Sequence, residues 1–314
     1  MENSLSIVIP VYNSQSTLPT LIAEIDRVMR TQGKDYEVIL VNDGSSDKSW
    51  EVVQSLAKEF GSVRGVDLMR NYGQHNALLC GIRLANNPII ITMDDDLQHP
   101  PAEIPKLLQK LEEGFDVVYG VPDAERHSIW RNITSKLIKL FLKKAMKVPT
   151  AQQLSAFRAF RSEIREAFAN YKGTFVSIDV LLSWGTTRFT SITVDHNKRA
   201  EGSSNYTLKK LMNHALTLIT GFSILPLQVS SYFGFLSMLF GLIVLVYVIY
   251  KFYSSGGVVP GFTFLASTLA IFSGVQLFAI GMIGEYLGRL FTRSLDHPTY
   301  IVRTTSSEKK DDPN

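Results

Sequence analysis

The 314 residues carry 32 Lys and Arg against 29 Asp and Glu, a formal charge of +3, and 45% of them are hydrophobic. So small a charge, with no dense basic stripe, excludes a nucleic-acid binder. The lone cysteine, Cys80, excludes an internal disulfide or a cysteine-rich metal site; it fits a reducing compartment and reads as a small buried apolar side chain.

Residues 1–6 lack a basic start and 5–11 is a short apolar run, so no signal peptide is expected and the N-terminal domain should stay in the cytoplasm. Runs rich in β-branched residues at 5–12, 36–42, 63–69, 89–93 and 116–121 predict buried strands. Between them, 17–32, 47–60, 74–85 and 102–113 predict helices, the last entered through Pro100 and Pro101. This alternation predicts an α/β fold with a doubly wound, mostly parallel sheet. In such sheets ligands bind beyond the carboxyl ends of the strands. The polar clusters fall there: Tyr12 and Asn13, then 42–47, 70–75 and 94–99.

From 126 to 147 apolar residues such as Trp130 and Phe141 interleave with Arg126, Arg131, Lys136, Lys139 and Lys143. That pattern suits a basic amphipathic helix lying in the headgroup plane, with packing against the sheet as the rival reading. A second amphipathic stretch, 207–222, leads to two apolar segments, 229–250 and 262–283, each long enough to cross about 30 Å of hydrocarbon. The connection carries only Lys251, whereas Lys209 and Lys210 precede the first segment and Arg289, Arg293 and Arg303 follow the second. Both termini are therefore expected in the cytoplasm. A buried hairpin of a soluble protein is the alternative. The tail from Thr304 is polar and expected to be disordered. The expected division is a catalytic domain at 1–206, a juxtamembrane segment at 207–228, a helical hairpin at 229–290 and a tail at 291–314.

Asp94, Asp95 and Asp96 directly follow an apolar strand. Adjacent like charges need neutralising, and a few carboxylates that leave room for substrate phosphates are how Mg2+ or Mn2+ is commonly held. Strand alternation turns Asp94 and Asp96 one way and Asp95 aside. A solvated acidic turn is the plainer alternative. Asn42-Asp43-Gly44-Ser45-Ser46-Asp47 is a turn with a helix cap, in which Asp43 has the chemistry to accept from a base or ribose. In the stretch from Arg199 to Tyr206 a cation, Gly202, hydroxyls and a phenol precede the apolar part, as in a phosphate-gripping loop; an ordinary linker is the alternative.

These segments resemble the family 2 glycosyltransferases of GT-A fold, and within them the polyprenyl-phosphate glycosyltransferases. The matching residues are Ile7-Val8-Ile9-Pro10-Val11-Tyr12-Asn13, Val41 to Asp47, Arg70-Asn71-Tyr72-Gly73-Gln74-His75, Met93 to Pro101 and Gly284-Glu285-Tyr286-Leu287-Gly288-Arg289. The resemblance implies Pro10, Tyr12 and Asp43 around the base and ribose, and Asp94 and Asp96 at the metal and diphosphate. Asp95 and Gln98 fall to the nucleotide sugar, and Arg199, Ser203 and Tyr206 to the donor diphosphate and acceptor phosphate. Glu285 and Arg289 resemble the family's membrane-exit motif and read as structural. Implied partners are a nucleoside-diphosphate sugar, a UDP-sugar favoured, a polyprenyl phosphate and membrane lipids of the inner membrane. Two spans leave lipid-facing surface for a homo-oligomer.

One departure stands out. Many relatives carry an acidic residue immediately before the Phe-Arg pair, proposed as a base, and here Phe157 and Arg158 follow Ala156. A phosphate monoester has a second pKa near about 6 and arrives largely as a dianion, so no strong base is required. Two rivals remain. A processive polysaccharide synthase needs more spans and a Gln-x-x-Arg-Trp motif that is missing; an idle membrane scaffold would have no reason to keep three aspartates.

Overall fold

A computed structural model of the chain describes residues 4–122, 154–173, 176–197, 225–254 and 261–306. The chain divides into two compact units, residues 1–207 with 297–314, and residues 208–296.

The first unit opens with β1 (Ser4–Val11), α1 (Leu18–Gln32), β2 (Asp35–Asn42), α2 (Ser49–Glu59), β3 (Val63–Leu68), α3 (Gln74–Leu84) and β4 (Ile89–Thr92). A short 3-10 turn at Pro101–Glu103 leads into α4 (Ile104–Glu112) and β5 (Val117–Pro122). These elements fall within one or two residues of the expected bounds. In β1 every residue after Ser4 is buried, as a strand covered on both faces requires. Helix α1 buries Leu18, Leu21, Ile22, Ile25 and Met29 at helical spacing, carries Pro19 in its first turn and stops at Gly33, whose φ of 57° closes the last turn. Its apolar face joins Ile7, Ile9, Leu40, Ile91 and Phe157 in one core.

Three strands were not foreseen: β6 (Arg158–Arg161), β7 (Phe189–Val194) and β8 (Val302–Thr305). Between β6 and β7 lie a 3-10 stretch, Ser162–Phe168, and α5 (Ile178–Gly185). The sheet has eight strands in the order β7-β5-β6-β4-β1-β2-β3-β8. The pairs β1/β2, β1/β4, β2/β3 and β5/β7 are parallel, while β6 runs antiparallel to β4 and β5, and β8 antiparallel to β3. The sheet is thus more mixed than the alternation alone implied. Four-residue β6 was too short to register as a run, and Arg158 and Arg161 mask its pattern.

The expectation of a disordered tail from Thr304 is corrected for residues 304–306, and residues 307–314 lie outside the described residues. Thr304 pairs with Asp67 and Thr305 with Val66, so β8 satisfies the open edge of β3 with backbone hydrogen bonds. Three of its four residues, Val302, Thr304 and Thr305, are β-branched, which suits an extended edge.

The second unit contains α6 (Leu225–Ser254) and α7 (Phe262–Ser294), both long and apolar enough to cross a membrane. The most apolar windows of both helices are not buried, unlike the core helix of a soluble protein. The helices meet where Gly241 faces Phe272; a Cβ at Gly241 would lie 2.7 Å from the ring. In α7, Arg289 Nη2 pairs with Glu285 Oε1 at 2.7 Å, one turn away. The basic stretch 126–147 and nearly all of the juxtamembrane segment 207–228 lie outside the described residues.

Candidate active site

A cavity of about 260 Å3 opens at the carboxyl ends of the central strands, lined by Pro10, Val11, Tyr12, Asp43, Asn71, Gly73, Gln74, Asp94, Asp95 and Asp96. Four loops supply it, those after β1, β2, β3 and β4. Of the residues singled out in the sequence, Pro10, Tyr12, Asp43 and all three aspartates come together here. Tyr12 is 52% exposed, so its ring offers a free face. Gln98 is not among the lining residues; its backbone N–H donates to Asp96 Oδ1 at 3.2 Å and its carbonyl accepts from Asn197 N at 2.8 Å. Arg199, Ser203 and Tyr206 lie outside the described residues.

The three carboxylates are not equivalent. Asp95 turns back under β1, where its Oδ2 accepts from Tyr12 N at 3.2 Å and from Ser14 Oγ. Burial pushes its carboxyl above the usual range, against these hydrogen bonds. It fastens the loop after β1 to the acidic loop. Asp94 Oδ1 accepts from Gln74 Nε2 at 2.6 Å, which ties the acidic loop to the start of α3. Leu97, with φ of 60°, makes the sharp turn that ends the acidic run.

Asp43 is only 2% exposed, and its Oδ1 and Oδ2 accept from Tyr72 N at 2.7 Å and Gly73 N at 2.8 Å. Burial still raises its pKa, the two N–H groups opposing. Asp43 therefore holds the turn after β3 against the turn after β2. Gly44 makes this approach possible: with φ of 64°, a Cβ there would sit 2.5 Å from Asn71 N. Asp47 lies two residues before Ser49, the first residue of α2, and accepts from its N–H at 3.0 Å, while Asn13 Oδ1 accepts from Ser46 N at 2.8 Å.

Asn71, Gly73, Gln74 and Ser14 were not assigned roles from the sequence. The first three lie in a polar cluster already evident after β3, and a glycine directly before an expected helix was the local signal; in the structure Gly73 has a φ of 93°. A buried group around Arg158 had no such signal. Arg158 is 2% exposed and donates to Asp179 Oδ1, while its Nε donates to Thr92 Oγ1 at 3.0 Å. Tyr119 OH donates to the same Asp179 oxygen at 3.0 Å, and Thr92 Oγ1 donates to the carbonyl of Ala156 at 2.7 Å. The network locks the end of β4, two residues before Asp94, to the start of β6.

His99 stacks on Phe157 with centroids 5.3 Å apart and meets His196 edge-on at 5.2 Å. Burial, with His196 second, lowers its pKa to about 4, so the ring is neutral at pH 7. Cys80 is buried and its thiol is pushed up to about 12 by burial, which leaves it inert as expected.

A mostly parallel sheet with its cavity beyond the carboxyl ends of the central strands is the arrangement by which doubly wound α/β folds hold their ligands. The profile of Glycosyl transferase family 2 matches residues 6–171. The chain belongs to that family and is a glycosyltransferase. It is 37% identical over 306 residues to an undecaprenyl-phosphate 4-deoxy-4-formamido-L-arabinose transferase of Pseudomonas paraeruginosa, covering 95% of this chain and 89% of that protein. Proteins of the same description from Yersinia enterocolitica and Serratia proteamaculans are each 38% identical, covering 92% and 94% of those proteins and 95% and 97% of this chain. Among solved structures, a glucosyl-3-phosphoglycerate synthase of Mycobacterium tuberculosis in complex with Mn2+ and UDP-glucose superposes with a TM-score of 0.51. It is 19% identical, with 69% of this chain and 77% of that chain covered, and it supports the fold.

Proposed function

We propose that the chain transfers one sugar from a nucleoside-diphosphate sugar to a polyprenyl phosphate, with undecaprenyl phosphate the favoured acceptor. The observation that carries this reading is the cavity in which Tyr12, Asp43 and the three aspartates converge. Relatives of matching length whose names specify an undecaprenyl-phosphate acceptor support it. Two helices long enough to span a bilayer would keep enzyme and lipid on one surface, raising their effective concentration. The enzyme then sits in the inner membrane, with its catalytic unit and both termini cytoplasmic.

The carboxylates suit a hard divalent ion. Asp94 and Asp96 supply oxygen donors, Asp95 is held away by Tyr12 and Ser14, and the open cavity leaves space for phosphate oxygens. Among the described residues no three His, Cys, Asp or Glu side chains form a closed metal cage, so substrate phosphates would complete the shell. Mg2+ or Mn2+ held by Asp94 and Asp96 would supply electrostatic stabilisation of the leaving diphosphate.

Pro10 and Tyr12 would flank the base, with Asp43 shaping the ribose side through the turn it holds. Asp95 acts by fixing the loop that carries Tyr12. Gln98 follows the acidic run and would lie near the sugar, just beyond the residues that line the cavity. Arg199, which comes two residues after the Gln98-bound Asn197 in the chain, would meet the diphosphate bidentately, and Ser203 and Tyr206 the acceptor phosphate. The acceptor phosphate dianion would attack the anomeric carbon in line as the bond from that carbon to the nucleoside diphosphate breaks, the diphosphate leaving with the electron pair, and this single displacement inverts the centre. With Ala156 where relatives carry an acid, no side chain there takes a proton, and a dianion needs none removed.

The test incubates purified protein with labelled UDP- and GDP-sugars, Mn2+ and a short polyprenyl phosphate. A lipid carrying one sugar is expected; a polymer, or no product from any donor, would refute the reading.

A further inference from the structure

The strand that follows the apolar hairpin holds the end of β3, from which one wall of the cavity turns. At the end of β3, Met69 is held on both backbone groups by this strand: its N–H donates to Ile301 O at 2.9 Å, and its carbonyl accepts from Arg303 Nη2 at 2.8 Å. Met69 is the last residue before the turn that brings Asn71, Gly73 and Gln74 into the cavity wall. The same guanidinium has Nε 3.7 Å from Asp67 Oδ2, and Asp67 is only 4% exposed.

From Asp67 a polar chain continues across the strand ends. Asp67 Oδ1 accepts from Asn42 Nδ2 at 2.6 Å, and Asn42 Oδ1 accepts from Ser45 Oγ at 2.6 Å. Ser45 Oγ in turn accepts from Asn13 N at 3.0 Å. Each donor and acceptor along this line has a single consistent sense, so the Asn42 amide is fixed in orientation. The strand itself is anchored at its far end, where Ser306 N donates to Gly65 O at 2.9 Å and Gly65 N to Ser306 Oγ at 2.8 Å. Near its start, the Tyr300 ring lies under Arg83, 5.8 Å from the guanidinium carbon.

We propose that Arg303 is a positioning residue for the donor pocket, setting the turn after β3 through Met69 and the turns after β2 and β1 through Asp67 and Asn42. The segment after the hairpin thus completes the pocket as well as closing the sheet edge. Without it the end of β3 would be an open edge with Asp67 buried and half-compensated, and both turns would sample wider positions. This inference rests on the reading of the cavity as the nucleotide-sugar site.

The test uses the full chain in nanodiscs and measures binding of UDP and of GDP, each with Mn2+, by calorimetry, alongside kinetics with the donor that supports turnover. Arg303→Ala should weaken nucleotide binding roughly tenfold, the scale of one hydrogen bond to a charged group. The donor KM should rise by a similar factor, with kcat at saturating donor within about twofold and the polyprenyl phosphate KM unmoved. Asn42→Ala combined with Arg303→Ala should cost less than the product of the single losses, because both break one chain. Wild-type affinity in Arg303→Ala, a loss confined to kcat, or independent effects of the two substitutions would overturn the inference. Should Arg303→Ala not fold, Arg303→Lys keeps charge beside Asp67 but lacks the forked donor; affinity equal to wild type there would overturn it as well. If neither nucleotide binds the wild type, the donor-site reading itself falls and this inference with it. If Asp94→Asn weakens binding and Arg303→Ala does not, only the inference falls.

Discussion

Asp43 and Gly73 are joined by a 2.8 Å hydrogen bond from the glycine amide to a carboxylate that is almost wholly buried. Thirty residues apart in the chain, they bring the ends of β2 and β3 to one wall of the cavity. Asp43→Ala would leave the Tyr72 and Gly73 N–H groups without their acceptor. A loss of about 2–4 kcal/mol in unfolding free energy is expected, together with loss of nucleotide binding. Chemical denaturation and nucleotide titration of the same preparation would check both.

Gly44→Ala should be equally damaging for a steric reason. Its positive φ and the Asn71 backbone 2.5 Å from an added Cβ leave no room for a methyl group. Donor binding should fall at least about tenfold, read as a raised donor KM. An unaltered KM would show that the two turns can part without harm.

The aspartates should separate by substitution. Asp96→Ala should abolish Mn2+-dependent turnover while changing unfolding free energy by less than about 1 kcal/mol. Asp95→Ala should destabilise the catalytic unit by about 1–3 kcal/mol, since it unpairs Tyr12 N and Ser14 Oγ. EDTA should silence the wild type reversibly, and full activity in EDTA would exclude the metal role.

Arg158→Ala should cost about 3–5 kcal/mol because it strands Asp179 beside a buried phenol. The double change Arg158→Met with Asp179→Leu should recover much of that loss, as measured by thermal unfolding. A double variant as unstable as the single one would show that the buried pair is worth more than an apolar replacement.

His99 supplies a pH dependence. Its folded pKa is held near 4, below the ordinary 6.5, so the unfolded chain binds the extra proton first. Stability should therefore be complete above pH 6.5, fall by up to about 3 kcal/mol as pH drops toward 4, and flatten below, as far as His99 contributes. His99→Phe should remove that component, visible as a shallower decline in melting temperature across this range.

How far the chain could be read without its structure follows from the range of each interaction. The first five strands and the four helices between them are legible because buried parallel strands are continuous apolar runs and their helices carry an apolar stripe. The positions of Tyr12, Asp43 and Asp94 to Asp96 follow from the same rule, since polar residues at strand ends gather at the mouth of the sheet, whereas Pro10 was reached only through the family resemblance. The apolar hairpin is written in composition. Short β6, shielded by Arg158 and Arg161, carries no period, and β8 looks like polar tail because an edge strand need bury little.

What the amino-acid order determined by itself was therefore everything set by local periodicity and by residues at strand ends: the α/β class, the acidic loop and two membrane-length helices. Strand alternation already set Asp95 apart, but tertiary structure alone decided that its carboxylate is spent on Tyr12 and Ser14, how Asp43 is spent on the turn after β3, and that Arg303 returns to Asp67 across more than two hundred residues. The reason is physical. Such pairings depend on which backbone N–H groups and charges end up adjacent after the sheet closes, and no spacing along the chain encodes that adjacency.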